Sequence, residues 1–145
     1  MKIRQGFVSN SSSTSFTAIL TAETFAELLF SSAEKAFLKT TMSYHKLGDI
    51  TLLFWEYISD EQGYSDIDNF SQLLIEEATR TKDSLLSEFI AEYNNPCSKP
   101  DRYGRQPKYN YSYFAEIFME VANIVALKFK MYAQSNKCIY QEKQF

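Results

Sequence analysis

Basic and aromatic side chains interleave through one short stretch of this chain: Lys99, Arg102, Tyr103, Arg105, Lys108, Tyr109, Tyr111 and Tyr113. Cations of this kind meet phosphates and tyrosine faces stack on bases, which suits single-stranded nucleic acid, and the same composition suits a protein interface. Arg and Tyr are also the residue types that carry much of the binding energy at protein interfaces. Arg102, Tyr103, Arg105, Lys108 and Tyr109 are therefore the candidate residues for binding a partner or a nucleic acid, against the plainer reading of an ordinary loop whose tyrosine rings pack on the domain. A second polar concentration opens the chain, where Arg4 precedes Ser9-Asn10-Ser11-Ser12-Ser13-Thr14-Ser15 and large apolar residues close both ends. Successive hydroxyl and amide side chains compete with helix and sheet for backbone partners, so the run forms a tight loop or stays mobile. Entered through Gly6, such a loop can cradle an anion with backbone N–H groups and hydroxyls. Arg4, Ser9, Asn10, Ser11, Ser12 and Ser13 are the candidate anion-binding set, against the plainer reading of a flexible terminus or plain capping.

Recognisable catalytic arrangements are missing. His45 is the only histidine, so a zinc site with two histidines cannot be built within one chain, and any Ser-His or Cys-His relay would have to use it. Ser32-Ala33-Glu34-Lys35 has the Ser-x-x-Lys spacing, which recurs by chance. Asp60, Glu61, Asp66 and Asp68 crowd around Gly63 without the twelve-residue spacing of a calcium loop, and they suit a helix N-terminus better than a cation site. Glu76 and Glu77 are adjacent and point in different directions on a helix. No glycine-rich phosphate or dinucleotide loop is present. The residues thus point to no metal, no cofactor and no catalytic set, and favour a protein that is not an enzyme.

The opening resembles a recurrent one. Arg4-Gln5-Gly6-Phe7-Val8-Ser9-Asn10-Ser11-Ser12-Ser13-Thr14-Ser15-Phe16 is similar to the start of many uncharacterised proteins of bacteriophages and bacteria, with Gln5 and Thr14 at the variable places. The resemblance is confined to residues 4–16. It implies a viral or prophage-like origin and an intracellular setting, and it carries no activity.

Composition agrees with an ordinary folded chain. The 145 residues are 45% hydrophobic and 16% aromatic, which gives one domain, 1–145, with enough apolar side chains for a core. The net charge of −3 argues against a dedicated nucleic-acid binder, and so a protein partner ranks above nucleic acid. Charge is nonetheless segregated: residues 56–92 carry −8, whereas 96–113 and 126–145 carry +3 each. Cys97 and Cys138, with no secretory apolar core at the N-terminus, suggest reduced thiols in a cytoplasm, and no run is long enough for a membrane span.

The elements that must position these groups are an α+β set. Phe16–Leu20 reads as a short buried strand, within about 15–21. A capping box at Thr24-x-x-Glu27 opens an amphipathic helix over about 22–39. Residues 42–46 read as connector and Leu47-Gly48-Asp49 as a turn. Ile50–Ile58 is β-branched and aromatic, a central strand covered on both faces. Ser65 or Asp66 caps a helical region in which Ile67, Phe70, Leu74, Ala78, Leu85 and Phe89 share a face, either one helix over about 66–93 or two that meet near 80. All three prolines and Gly104 fall in 94–110, a long loop. Helical spacing resumes at Ser112 and runs to about 133. Period-two alternation at 127–131 leaves a strand open there, with a further strand over 137–142. The expectation is a small sheet on about three helices, with 1–15 and 94–110 as loops.

From these residues the expected function is a small phage-encoded protein that binds a host or viral macromolecule in the host cytoplasm. The alternatives are an enzyme or nucleotide binder that uses the serine-rich turn, and a virion or assembly component. Oligomeric state is not legible.

Overall fold

The computed structural model describes residues 13–59, 63–95, 100, 102–105 and 108–144. Among them the chain is α+β, with five helices and one four-stranded antiparallel sheet. It divides into two compact units. The described parts of Met1–Leu28, Thr41–Gln62 and Ala126–Phe145 form the first, and those of Leu29–Thr40 and Gly63–Val125 form the second.

The first unit is built on β1 (Thr14–Thr21) and β3 (Ile50–Ile58), flanked by β2 (Met42–Leu47) and β4 (Ile139–Gln144) in the order β2-β3-β1-β4. Register places Phe16 opposite Tyr57, Ala18 opposite Trp55 and Leu20 opposite Leu53, so a small residue faces the largest one. Side chains alternate across a strand. Ala18 and Leu20 are accordingly buried with Leu53, Trp55 and Tyr57, while Glu56 is exposed. β3 is therefore central but covered fully on one face, not on both. Its hydrophobic run overstated its burial because Leu52 and Phe54 are only half-buried on the other side.

β2 was not anticipated from sequence, where 42–46 reads as connector. It is an edge strand that contributes only Met42 to the core and exposes its other five residues, so no period-two signal is needed. Leu47 pairs with Ile50 across Gly48-Asp49, and Gly48 takes φ +66°, a conformation that a side chain disfavours.

The expected single helix over 22–39 is two helices. In α1 (Ala22–Glu27), the cap is Thr21, whose Oγ1 accepts from the Thr24 N–H at 3.1 Å, rather than Thr24 itself. Leu28 is extended (φ −85°, ψ 150°) and ends it. Ahead of α2 (Ser32–Thr41), Ser31 Oγ accepts from Glu34 N–H and Glu34 Oε1 accepts from Ser31 N–H, the reciprocal bonds of a capping box. A complete start signal in mid-segment outcompetes helix continuation.

In the second unit α3 (Tyr64–Thr81) starts at Gly63, whose N–H donates to Asp66 Oδ2 at 3.1 Å, in place of the expected Ser65 or Asp66 cap. Lys82 then adopts the left-handed region (φ 54°), and Asp83 N–H reaches back to Ala78 C=O. The chain leaves α3 there and α4 (Leu86–Tyr93) follows, which settles two helices over one. Ile67, Phe70, Leu74, Ala78 and Phe89 are buried as the spacing requires, whereas Leu85 is exposed. Phe118 packs edge-on against both Phe37 and Phe70.

Helix α5 (Tyr111–Gln134) absorbs the ambiguous 127–131 stretch, and Asn136 (φ 60°) ends it with Lys137 N–H bonded to Tyr132 C=O. β4 follows, so both the longer helix and the late strand exist. No described helix is long and apolar enough to cross a membrane.

Candidate functional site

The loop between α4 and α5 is pinned at its base. Asn110 Nδ2 donates to Glu92 Oε2 at 2.6 Å, while Asn110 Oδ1 accepts from Tyr113 N–H and caps α5. Beside this bond Tyr109 stacks on Tyr93, with ring centroids 5.6 Å apart and planes 11° from parallel. Two contacts therefore join residues 92–93 to 109–110, on either side of the segment 94–108. A loop with closed ends loses less freedom when its tip binds.

Within this segment Arg102, Tyr103, Gly104 and Arg105 are all exposed, and Tyr103 keeps 72% of its surface. Arg102 Cζ lies 5.5 Å and Arg105 Cζ 5.4 Å from the centroid of that ring. Both distances are within cation–π range, worth about 0.5–1 kcal/mol each at an exposed site. Gly104, between Tyr103 and Arg105, takes φ +80°, a conformation that a side chain disfavours. Two planar guanidinium forks are thus held beside one aromatic ring. Such forks take carboxylates or phosphates through paired N–H bonds. A ring already engaged by two cations is less suited to stacking on a base.

Lys108 is exposed at the loop's return. Tyr109, expected at the surface, is instead 1% exposed and serves as the anchor, within an aromatic cluster that includes Tyr64, Tyr93, Tyr111 and Phe114. Composition alone does not separate a contact tyrosine from an anchoring one. Burial pushes the Tyr109 phenol well above its ordinary value, and its hydroxyl has no hydrogen-bond partner among the described residues. A buried unpaired hydroxyl costs about 1–3 kcal/mol. Tyr109→Phe is therefore expected to raise stability by roughly 1 kcal/mol in urea unfolding, with loop geometry unchanged. Burial likewise raises the Tyr113 phenol, to about 12, and the Glu88 carboxylate adds to the effect.

Of the remaining candidates, those among the described residues do not assemble into one site. Arg4, Ser9, Asn10, Ser11 and Ser12 lie outside the described residues, as do Asp60, Glu61, Cys97 and Lys99, and Ser13 is half-buried before β1. His45 sits on the exposed edge strand, with Nε2 3.1 Å from Ser43 Oγ and its ring against Phe54. Ser32 Oγ is bonded to Thr81 Oγ1 at 2.6 Å. Among the described residues no three His, Cys, Asp or Glu side chains converge as metal ligands.

Sequence reading passed over Glu77, whose side chain is 3% exposed and is bound by Lys39 and by Arg80. Burial alone would raise its pKa, but the hydrogen bonds and charges of Lys39 and Arg80 outweigh that and hold the carboxyl below the usual range. Its position three residues after Leu74 on the buried face of α3 was the available signal.

No protein-family description, no curated protein and no solved structure matches this chain.

Proposed function

We propose that this chain is a small interaction protein of phage or prophage origin, and that it acts by gripping an acidic segment of a host or viral protein between Arg102 and Arg105. The observation that supports this reading is the convergence of two guanidinium groups on one exposed ring, within a loop pinned by Glu92–Asn110 and Tyr93–Tyr109. Anchored Arg and Tyr side chains are the usual carriers of interface energy, and a charged fork selects an anionic partner. A protein partner is favoured over nucleic acid because the ring is engaged by cations and the net charge is −3.

The test is affinity capture from the producing cell with quantitative mass spectrometry. Arg102→Ala/Tyr103→Ala/Arg105→Ala should reduce recovery of the specific partner by about 100-fold or more, since each hot-spot truncation costs on the order of 2 kcal/mol. Wild-type and variant capture profiles that coincide would refute the reading.

A further inference from the structure

A groove lies between α3 and α4, on residues other than the two arginines of the loop. Gln72, Ile75 and Glu76 are spaced three and four residues apart and share one side of α3. Ile90, Tyr93 and Asn94 repeat that spacing at the end of α4. The two sides enclose about 350 Å³, at the lower end of the range for small-ligand sites. Ile75, Ile90 and the Tyr93 ring supply apolar walls, and Ile90 keeps 40% of its surface in the open. Gln72, Glu76 and Asn94 are exposed, and their side chains make no hydrogen bond or ion pair among the described residues. Neighbouring carboxylates are engaged: Glu77 by Lys39 and Arg80, Glu92 by Asn110. Glu76 is the only carboxylate among the described residues that line the groove.

We infer that this groove receives a lysine side chain from an extended segment of a protein partner. The four-carbon stem lies between Ile75, Ile90 and Tyr93, the ammonium meets Glu76, and the amides of Gln72 and Asn94 take the backbone on either side. Charge complementarity selects this occupant. Glu76 is the one charged side chain among the described residues that line the groove, and its carboxylate is unpaired there, so an anion is repelled and a cation is drawn in. A wholly apolar occupant would desolvate Glu76 with nothing to pair it. An ammonium on a flexible stem satisfies both the walls and the charge.

The test is methyl NMR of the full chain, read at Ile75 and Ile90, with blocked lysine (N-acetyl-lysine methylamide) as probe. Blocked lysine should shift both isoleucines saturably, and Glu76→Gln should weaken it about tenfold or more, as expected for loss of a charged hydrogen bond. The Nε-acetylated form and blocked norleucine should bind as weakly as the Glu76→Gln variant binds lysine. Butylamine should bind less tightly than blocked lysine, and Gln72→Ala/Asn94→Ala should remove that difference. Absent shifts, equal shifts with norleucine, or no effect of Glu76→Gln would overturn the site. Equal binding of butylamine would overturn its assignment to a peptide. Glu76 is exposed, so these variants leave the core intact.

Discussion

Replacing Lys39 and Arg80 together by methionine is expected to lower the free energy of unfolding by roughly 3–5 kcal/mol at pH 7. The size follows from what remains behind. The Glu77 side chain is 3% exposed, whereas Lys39 and Arg80 keep 52% and 60% of theirs. Removing the cations strands a buried carboxylate, but Glu77→Gln strands only cations that water can reach, and it should cost less. The pH dependence separates this cause from lost packing. In the native protein the Glu77 pKa is lowered. Its contribution is therefore full above the unfolded carboxylate value, near ~4.3, and is lost as pH falls through the folded value. In the methionine variant burial acts alone and raises the pKa. The penalty then grows as pH rises through the unfolded value and fades in acid. Urea titrations at pH 7 and pH 4 should show the gap between variant and native protein narrowing sharply at pH 4. A gap of the same size at both would mean that Glu77 was never the group at stake.

Trp55→Ala is expected to cost about 3–5 kcal/mol, the range for deleting a large buried aromatic. Trp55 has no exposed surface, packs against Phe129 at 5.1 Å between centroids, and donates from Nε1 to Thr41 Oγ1 at 3.0 Å. Truncation leaves a cavity opposite Ala18, which is too small to fill it, and it removes the hydrogen bond to Thr41. One residue along β3, Glu56 is exposed. Glu56→Ala should fall within about 0.5 kcal/mol of the native protein. Thermal or urea unfolding of the two variants tests whether β3 is covered on one face. Comparable losses from both would restore the reading of a strand buried on both sides.

What could be read from the chain follows a physical line. β1 and β3 were legible as strands because their apolar runs lie at the centre of a sheet, although the run of β3 overstated its burial on one face. β2 was not, because an edge strand with one buried residue needs almost no apolar pattern. The α3–α4 break was visible only as a weakening, since the left-handed residue there is Lys82 and not the glycine that marks such ends. The α1–α2 break carries a full signal, Ser31-x-x-Glu34, which a similar Thr24-x-x-Glu27 spacing masked. The loop's chemistry was legible from composition. Its geometry was not, because the Glu92–Asn110 bond that pins it and the pairing of Tyr93 with Tyr109 depend on the fold. Glu77 was overlooked because a charge reads as surface until its partners, 38 residues away in one case, are known.

Photocrosslinking from the loop tests the interaction reading most directly. Benzoylphenylalanine would replace Tyr103 in one sample and Tyr44, an exposed residue of β2, in another. The account predicts a protein adduct from position 103, mapped to a segment rich in Asp and Glu, and none from position 44. An adduct with nucleic acid, or a protein adduct from position 44 with nothing at 103, would contradict it.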